Sequence, residues 1–196
     1  MFTGIIQGVG RLRGRRGSAL DVETPLEIGD RLTLGASVAV SGVCLTVVAF
    51  DEGTFCADLS AETAARTTLS RLGARASVNL ELPVRPTDGL DGHLVLGHVD
   101  AVGRVKAIVR RDETSEFVFS YPASFHRFLA EKGAVAVDGI SLTPFGVTPT
   151  TFRCAAIPET LRATTLHERR TGDPVNIEFD ILAKYVEGMV RRVHQH

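Results

Sequence analysis

The chain repeats itself, and this repeat limits the possible folds more than any other feature of its 196 residues. Residues 38–46 (VAVSGVCLT) match residues 135–143 (VAVDGISLT) at an offset of 97. Three later pairs of blocks share that offset: 62–63 with 159–160, 67–69 with 164–166, and 78–81 with 175–178. Residues 4–12 match 97–105 at an offset of 93. Because one register holds over separate blocks, the sequence predicts two homologous halves of nearly 100 residues each.

Each half has the pattern of an all-β unit. Short runs rich in Val, Leu, Thr and Phe predict strands at 31–34, 37–40, 45–50, 54–59 and 77–82, and again at 103–110, 116–121, 134–137, 152–157 and 174–179. The segment Asp51-Glu52-Gly53 predicts a tight turn between two of them. Many short strands favour a small closed barrel, because closure removes exposed sheet edges. Residues 62–69 and 159–166 are predicted to be short helical turns or loops, and 83–92 a linker.

The C-terminal segment 181–193 differs from the rest because its apolar residues recur at spacings of three and four, which predicts an amphipathic helix. The stripe consists of Leu182, Tyr185, Val186, Met189, Val190 and Val193. No corresponding segment follows the first half. The helix therefore packs either on its own barrel or on another subunit, and the sequence leaves both alternatives open.

Charge and cysteine content exclude several classes of function. With 22 Lys+Arg against 23 Asp+Glu, the net charge of −1 provides no field that would recruit nucleic acid or an anionic membrane. A local cluster of Arg11, Arg13, Arg15 and Arg16 is interpreted as a solvated loop. The three cysteines show no Cys-x-x-Cys spacing, so neither a zinc site nor a disulfide framework is indicated. We expect a cytoplasmic protein without a membrane span or secretion signal.

For two motifs we favour a structural interpretation over a cofactor- or metal-binding one. Gly8-Val9-Gly10 resembles the start of a dinucleotide-binding fingerprint, but the third glycine is misplaced, so a glycine that lets the strand bend is the better interpretation, as at Gly103. His93 and His98 lie five residues apart, which would put them on opposite faces of a strand, so we expect no shared metal ion.

Positions that differ between the halves point to chemistry. His98 aligns with Ile5, and Cys44 aligns with Ser141. A histidine that is present in one copy and absent from the other suits a site that needs a proton carrier on one side. The cysteine is weaker evidence, because a buried cysteine usually packs as a small hydrophobic residue. Threonines recur in both halves, at Thr46 and Thr143 and at Thr63 and Thr160. They are common in strands, but repeated at loop positions they also suit a polyhydroxylated ligand bound once per half.

Four motifs together resemble the riboflavin synthase alpha-chain family: residues 1–6 (MFTGII), 41–46 (SGVCLT), 97–100 (GHVD) and 138–143 (DGISLT). The resemblance runs from residue 1 to about residue 190. It implies an all-β fold of two homologous six-stranded Greek-key β-barrels in tandem plus a C-terminal α-helix. The domains it implies are lumazine-binding barrels at 1–88 and 89–180 and a trimerisation helix at 181–196.

The resemblance also implies a reaction in riboflavin biosynthesis. Two molecules of 6,7-dimethyl-8-ribityllumazine exchange a four-carbon unit to give riboflavin and 5-amino-6-ribitylamino-uracil, a transferase reaction without metal or redox cofactor. The family implies a homotrimer in which the N-terminal barrel of one subunit meets the C-terminal barrel of its neighbour, and an association with lumazine synthase. The alternative is a non-catalytic lumazine- or flavin-binding carrier or optical protein of the same fold. Retention of Phe2, Cys44, His98 and Ser141 favours the enzyme.

Site residues follow from the resemblance by position. His98 is expected to move protons with the help of Ser37, Cys44, Ser141 and Thr143, while Phe2 covers a ring of the substrate. The site of the first barrel would use Gly4, Ile5, Ile6, Val43, Cys44, Leu45, Asp58, Leu59, Ser60, Ala61, Glu62 and Thr63. The site of the second would use Gly97, His98, Val99, Lys132, Ser141, Leu142, Thr143, Ala155, Ala156, Ile157, Pro158, Glu159 and Thr160. Pro83, Leu96 and Pro144 depart from the family pattern, and Pro144 would remove a ladder donor.

Overall fold

The computed structural model describes residues 1–51, 53–111 and 114–193. The first half contains six strands, β1 (Gly8–Arg16), β2 (Ala19–Glu23), β3 (Ser37–Val40), β4 (Val43–Asp51), β5 (Thr54–Asp58) and β6 (Ser77–Glu81). They close into a barrel in the order β1-β2-β5-β4-β3-β6, a Greek-key arrangement. Two short helices, α1 (Leu26–Gly29) and α2 (Ala61–Arg66), and a 3-10 segment, Leu69–Arg71, lie in its connections.

The second half repeats this plan. Its strands are β7 (Ala101–Arg111), β8 (Thr114–Ser120), β9 (Val135–Val137), β10 (Ile140–Leu142), β11 (Thr151–Ala156) and β12 (Pro174–Phe179). They form a six-stranded sheet in the order β10-β9-β12-β7-β8-β11. Helix α3 (Pro158–Ala163) and the 3-10 segments Ala123–Phe128 and Thr165–Glu168 lie in the connections, and α4 (Ile181–Val193) follows the sheet. The predicted fold class, two repeats with six strands each and a terminal helix, is confirmed.

The two sheets differ at one seam. Val47 on β4 donates its N–H to the carbonyl of Ala36 at 2.9 Å and continues the ladder toward β5. Pro144 occupies the corresponding place in the second half, and proline has no N–H to donate. Strand β10 therefore ends at Leu142, and an isolated bridge between Phe145 and Arg153 joins it to the β11 side.

Two sequence predictions about the first barrel are wrong. Residues 31–34 form a turn after α1 instead of a strand, because the N–H groups of Arg31 and Leu32 bond back to the carbonyls of Ile28 and Gly29. The arginine cluster lies on strand β1 and not in a loop, since Leu12 alternates inward while its arginine neighbours remain exposed. Of the predicted turn Asp51-Glu52-Gly53, Glu52 lies outside the described residues.

A small apolar cluster joins the two barrels between their separate cores. It contains Phe2, Ala39, Val95 and Ala136, all nearly inaccessible to solvent. Phe2 and Val95 exchange two backbone hydrogen bonds of 2.7 and 3.1 Å. Because these residues come from both halves in equivalent pairs, the barrels are related by an approximate two-fold axis.

Two buried asparagines extend this symmetric contact. Asn79 donates from Nδ2 to the carbonyl of Asp138 at 2.9 Å, and Asn176 donates to the carbonyl of Ser41 at 2.9 Å. Their Oδ1 atoms accept the N–H groups of Thr165 and Thr68, each at 2.8 Å. Each asparagine therefore satisfies one donor and one acceptor of the opposite half, as buried polar groups require.

Helix α4 contacts its own barrel through polar residues, and its apolar stripe remains open. Arg127 of the 3-10 segment Ala123–Phe128 pairs with Glu187 at 3.1 Å. Leu182, Tyr185 and Met189 are 56%, 63% and 65% exposed. The stripe therefore does not pack on its own barrel in this structure. Within the described residues, no helix has the length and apolar character needed to cross a membrane.

Candidate active site

Two short segments, which we call arms, cross between the barrels and define the candidate site. The N-terminal arm comprises residues 1–6, and the second arm comprises residues 94–99. The carbonyl of Gly97 accepts the N–H of Cys44 at 2.9 Å, and the carbonyl of Gly4 accepts the N–H of Ser141 at 2.8 Å. Each arm therefore contacts a hairpin of the opposite half, so each barrel contributes to a half-site that the other half completes.

Apolar contacts show the same exchange. Ile6 of the N-terminal arm packs against the core of the second barrel. Val99 of the second arm packs against the core of the first barrel. Backbone bonds and side-chain packing thus agree that the arms are exchanged.

Glycine is required where each arm meets its hairpin. Gly4 and Gly97 both have a φ of +79°, in the left-handed region. A Cβ at Gly97 would lie 2.5 Å from Cys44 Cβ, and one at Gly4 would lie 2.7 Å from Ser141 Cβ. Any side chain at these positions would push the arm away from the hairpin.

A buried carboxylate holds each arm in place. Glu81 accepts the N–H of Thr3 at 2.6 Å and that of Gly4 at 3.0 Å. Glu178 accepts the N–H groups of Leu96 and Gly97 at 2.7 and 2.9 Å. Burial raises the pKa of both carboxyls, and the backbone N–H groups oppose that rise. Charge-assisted bonds of this kind are stronger than neutral ones, so the arms are firmly anchored.

The first half-site is a cleft of about 380 Å³ between α2, the β3–β4 hairpin and the second arm. It is lined by Val43, Cys44, Glu62, Thr63, Arg66, Thr67, Gly97, His98 and Val99. His98 is exposed and Cys44 is half-buried. Helix α2 begins at this cleft, where Ser60 Oγ accepts the N–H of Thr63 at 3.0 Å. The volume suits a small molecule, and the lining places a proton carrier beside a thiol and hydroxyl groups.

The second half-site has a different set of side chains. Ser141 Oγ lies 2.7 Å from His93 Nδ1, and the N–H of His93 donates to the carbonyl of Thr3 at 3.0 Å. Burial lowers the pKa of His93, with Asp180 opposing this, so the imidazole is neutral near pH 7. Its Nε2 atom is buried without a hydrogen-bond partner among the described residues. Lys132 extends over the ring of Phe145 at 5.0 Å from its centroid.

The grouping of site residues predicted from the sequence is therefore wrong. Gly4, Ile5 and Ile6 belong with Ser141 and the second barrel, whereas Gly97, His98 and Val99 belong with Cys44 and the first. Assignment by position along the chain assumes that each repeat folds onto itself, and the crossed arms violate this assumption.

The expected role of Phe2 is also contradicted. Its side chain is 0% exposed within the apolar cluster between the barrels, so it does not cover a ligand in either half-site. The ring of Phe2 instead packs with Val95 in the cluster between the barrels, and this contact holds the two arms together where they cross.

Other predicted residues fall into two groups. Val43, Leu45, Leu59, Leu142 and Ala156 have side chains in the barrel cores, so only their backbone groups can face a ligand. The accessible residues are Ser37 and Thr143 on the hairpins, Asp58, Ser60, Ala61 and Glu62 around the start of α2, and Ala155, Ile157, Pro158, Glu159 and Thr160 around the start of α3. Ser37 lies opposite Thr46 in the β3–β4 ladder, two residues before the Ala39–Cys44 pair.

Two site residues were missed by the sequence interpretation. His93 was set aside because five-residue spacing in a strand separates it from His98, but residues 93–98 form no regular strand. Arg66 forms an ion pair with Glu62 at 3.1 Å beside the first half-site, and its counterpart in the repeat is Ala163. The repeated blocks 62–69 and 159–166 differ here, with arginine in one and alanine in the other, and this difference could have identified Arg66 from the sequence.

Comparison with known proteins agrees with the two-repeat architecture. The model of the lumazine binding domain family matches residues 3–83 and again residues 96–180. Riboflavin synthase from Photobacterium phosphoreum is 38% identical, covering 97% of this chain and 89% of the relative. Riboflavin synthase from Mycobacterium bovis is 40% identical, covering 97% and 98%, and that from Bacillus subtilis is 34% identical, covering 100% and 93%.

Solved structures share the fold. LumP complexed with riboflavin superposes with a TM-score of 0.83 at 23% identity, covering 91% of this chain and 99% of LumP. LumP complexed with 6,7-dimethyl-8-(1'-D-ribityl) lumazine superposes with a TM-score of 0.82 at 20% identity and the same coverage. At this identity the likeness concerns the fold alone.

Proposed function

The chain belongs to the riboflavin synthase family of lumazine-binding proteins, and from this premise we propose that it is a riboflavin synthase. As a transferase, it converts two molecules of 6,7-dimethyl-8-ribityllumazine into riboflavin and 5-amino-6-ribitylamino-uracil by moving a four-carbon unit from one to the other. Every atom of the two substrates appears in the two products, so the transfer needs no external oxidant or reductant.

The observation that carries this proposal is the pair of half-sites with one backbone frame and unequal side chains. In both, an arm glycine carbonyl meets a hairpin N–H, and a buried glutamate holds the arm. A repeated frame suits two copies of one ligand. Different side chains within that frame suit the different roles that donor and acceptor have in a dismutation.

Within this proposal, His98 moves the protons. The reaction removes a proton from the acidic C7 methyl group of one lumazine and adds a nucleophile to the other. His98 is exposed in the cleft that also contains Cys44 and Thr63, so an imidazole, a thiol and a hydroxyl group surround one bound ring. Positioning of two reactants face to face supplies much of the remaining rate enhancement.

The proposal extends to assembly. The exposed stripe on α4, which includes Leu182, Tyr185 and Met189, is an apolar surface of the kind that marks contacts between proteins. We assign this stripe to the contact between subunits of a homotrimer, in which the first half-site of one subunit faces the second half-site of its neighbour. Association with lumazine synthase and a cytoplasmic location complete the proposal.

The function is tested by incubating the purified protein with the ribityllumazine. We expect riboflavin absorbance to grow while one riboflavin appears for every two lumazine molecules consumed. The alternative, a carrier or optical protein of the same fold, predicts tight fluorescent binding without any riboflavin. The exposed His98 beside Cys44 favours turnover, because a carrier has no use for a titratable group at that position.

A further inference from the structure

An ion pair connects helix α4 to Asp100, the residue that directly follows the arm that carries His98. Lys184 Nζ lies 2.7 Å from Asp100 Oδ2, and the two side chains are only 22% and 19% exposed. The same Oδ2 atom accepts the N–H of Phe179, the last residue of β12, at 2.9 Å. Asp100 thus ties the end of the second arm to both β12 and α4.

A series of hydrogen bonds connects β12 with the first half-site. Glu178, next to Phe179 on β12, accepts the N–H groups of Leu96 and Gly97. The carbonyl of Gly97 accepts the N–H of Cys44 at 2.9 Å. His98 therefore lies between two anchors, Gly97 on one side and Asp100 on the other.

The N-terminal arm lacks the charged part of this arrangement. Gln7 occupies the place of Asp100 in the repeat, and its Oε1 accepts the N–H of Leu82 at 3.1 Å as Asp100 does with Phe179. Gln7 is neutral and forms no ion pair among the described residues, and no helix equivalent to α4 follows β6. The ion pair and the helix occur only behind the arm that carries the histidine.

We propose that Lys184 is a positioning residue for His98, acting through Asp100, so that helix α4 takes part in building the first half-site. The proposal rests on the function proposed above and deepens it. Without Lys184, the Asp100 carboxylate would stand unpaired near Glu178, whose charged form Lys184 favours and Asp100 disfavours. Like charges at this point would loosen the segment between Gly97 and Asp100.

The test compares three variants of the full-length protein. Lys184→Met and Asp100→Asn remove the ion pair, and the asparagine can still accept the N–H of Phe179. Arg127→Met is the matched control, because it removes the ion pair with Glu187 that holds α4 elsewhere. We expect Lys184→Met and Asp100→Asn each to lower kcat about fivefold with little change in KM, and the double variant to be no slower than either.

A second measurement does not depend on turnover. Hydrogen exchange at the amides of Gly97 and Cys44 should quicken about fivefold in Lys184→Met and Asp100→Asn. Exchange at Gly4 and Ser141, which belong to the other arm, should not change in any variant, and sedimentation should show one assembly state throughout. If the native protein forms no riboflavin, the proposed function is wrong, but hydrogen exchange still shows whether Lys184 holds the segment around His98 in place. The positioning role of Lys184 would be overturned if exchange at Gly97 and Cys44 did not change in Lys184→Met and Asp100→Asn. It would also be overturned if Arg127→Met increased that exchange equally.

Discussion

The two half-sites are built on the same backbone frame and differ in the side chains that surround it. Cys44, Arg66 and His98 in the first half-site correspond to Ser141, Ala163 and Ile5 in the repeat. The second half-site has its own histidine, His93, which is half-buried and lies with its Nδ1 atom 2.7 Å from Ser141 Oγ. One half-site thus presents an exposed imidazole, and the other a half-buried one whose Nε2 atom is inaccessible.

The comparison indicates how a duplicated fold can give two bound copies of one substrate different roles. The elements that hold the frame, Glu81 and Glu178, Asn79 and Asn176, Gly4 and Gly97, are chemically identical in the two halves. Cys44, Arg66 and His98, which differ from their counterparts in the repeat, all line the first half-site. Duplication preserves affinity for one compound, and divergence at a few exposed positions separates what happens to each copy.

The largest effect should come from the accessible imidazole. His98→Ala removes the proton carrier of the first half-site, and we expect turnover to fall about 100-fold or more while lumazine remains bound. Steady-state rates and fluorescence titration measure the two quantities. His167→Ala, which removes an exposed histidine on the 3-10 segment Thr165–Glu168, is the matched control. Unchanged turnover in His98→Ala would show that the histidine is not what distinguishes the half-sites.

The shared frame should respond symmetrically. Asn79→Ala and Asn176→Ala each leave one N–H and one carbonyl of the opposite half unpaired in a buried place. We expect each to lower the free energy of unfolding by about 2–4 kcal/mol. Urea denaturation measures both. A large inequality between the two would mean that the halves differ in their framework as well as in their sites.

The half-buried histidine of the second half-site, His93, should produce a smaller, pH-dependent effect. Burial lowers the pKa of His93 below its ordinary value of 6.5, so the unfolded state binds a proton more readily than the folded state. The stabilisation is complete above the unfolded pKa and is lost as pH falls through the folded one. Urea midpoints measured from neutral pH downward should therefore fall less steeply in His93→Gln than in the native protein. His167→Gln, which removes an exposed histidine, is the comparison variant.

Much of the fold could be predicted from the sequence, because it depends on patterns repeated along the chain. The offset of 97 residues indicated two halves, and the spacing of Leu182, Tyr185 and Met189 predicted α4 with the bounds that the structure has. Strand β1 was missed because four arginines on its exposed face masked the alternation of Gly10 and Leu12. The domain boundaries at residues 88 and 180 remain a prediction.

The site was predicted less well, because it depends on contacts between the halves. The list of site residues remains a prediction, but Gly4 and Gly97 were assigned to the wrong barrels, since a repeat does not show whether its copies exchange segments. Only the three-dimensional pairing of Gly97 with Cys44 and of Gly4 with Ser141 reveals the exchange. The burial of Phe2 was hidden for the same reason, since its neighbour Val95 is distant in the chain.

The presence of two half-sites, each completed by an exchanged arm, is tested by the number of lumazine molecules bound per chain, measured by equilibrium dialysis. Gly97→Ala and Gly4→Ala each displace one arm, because the added Cβ would collide with Cys44 or with Ser141. We expect two molecules per chain in the native protein and one in each variant, with riboflavin synthesis lost in both. A single site in the native protein, or the loss of both sites in either variant, would contradict it.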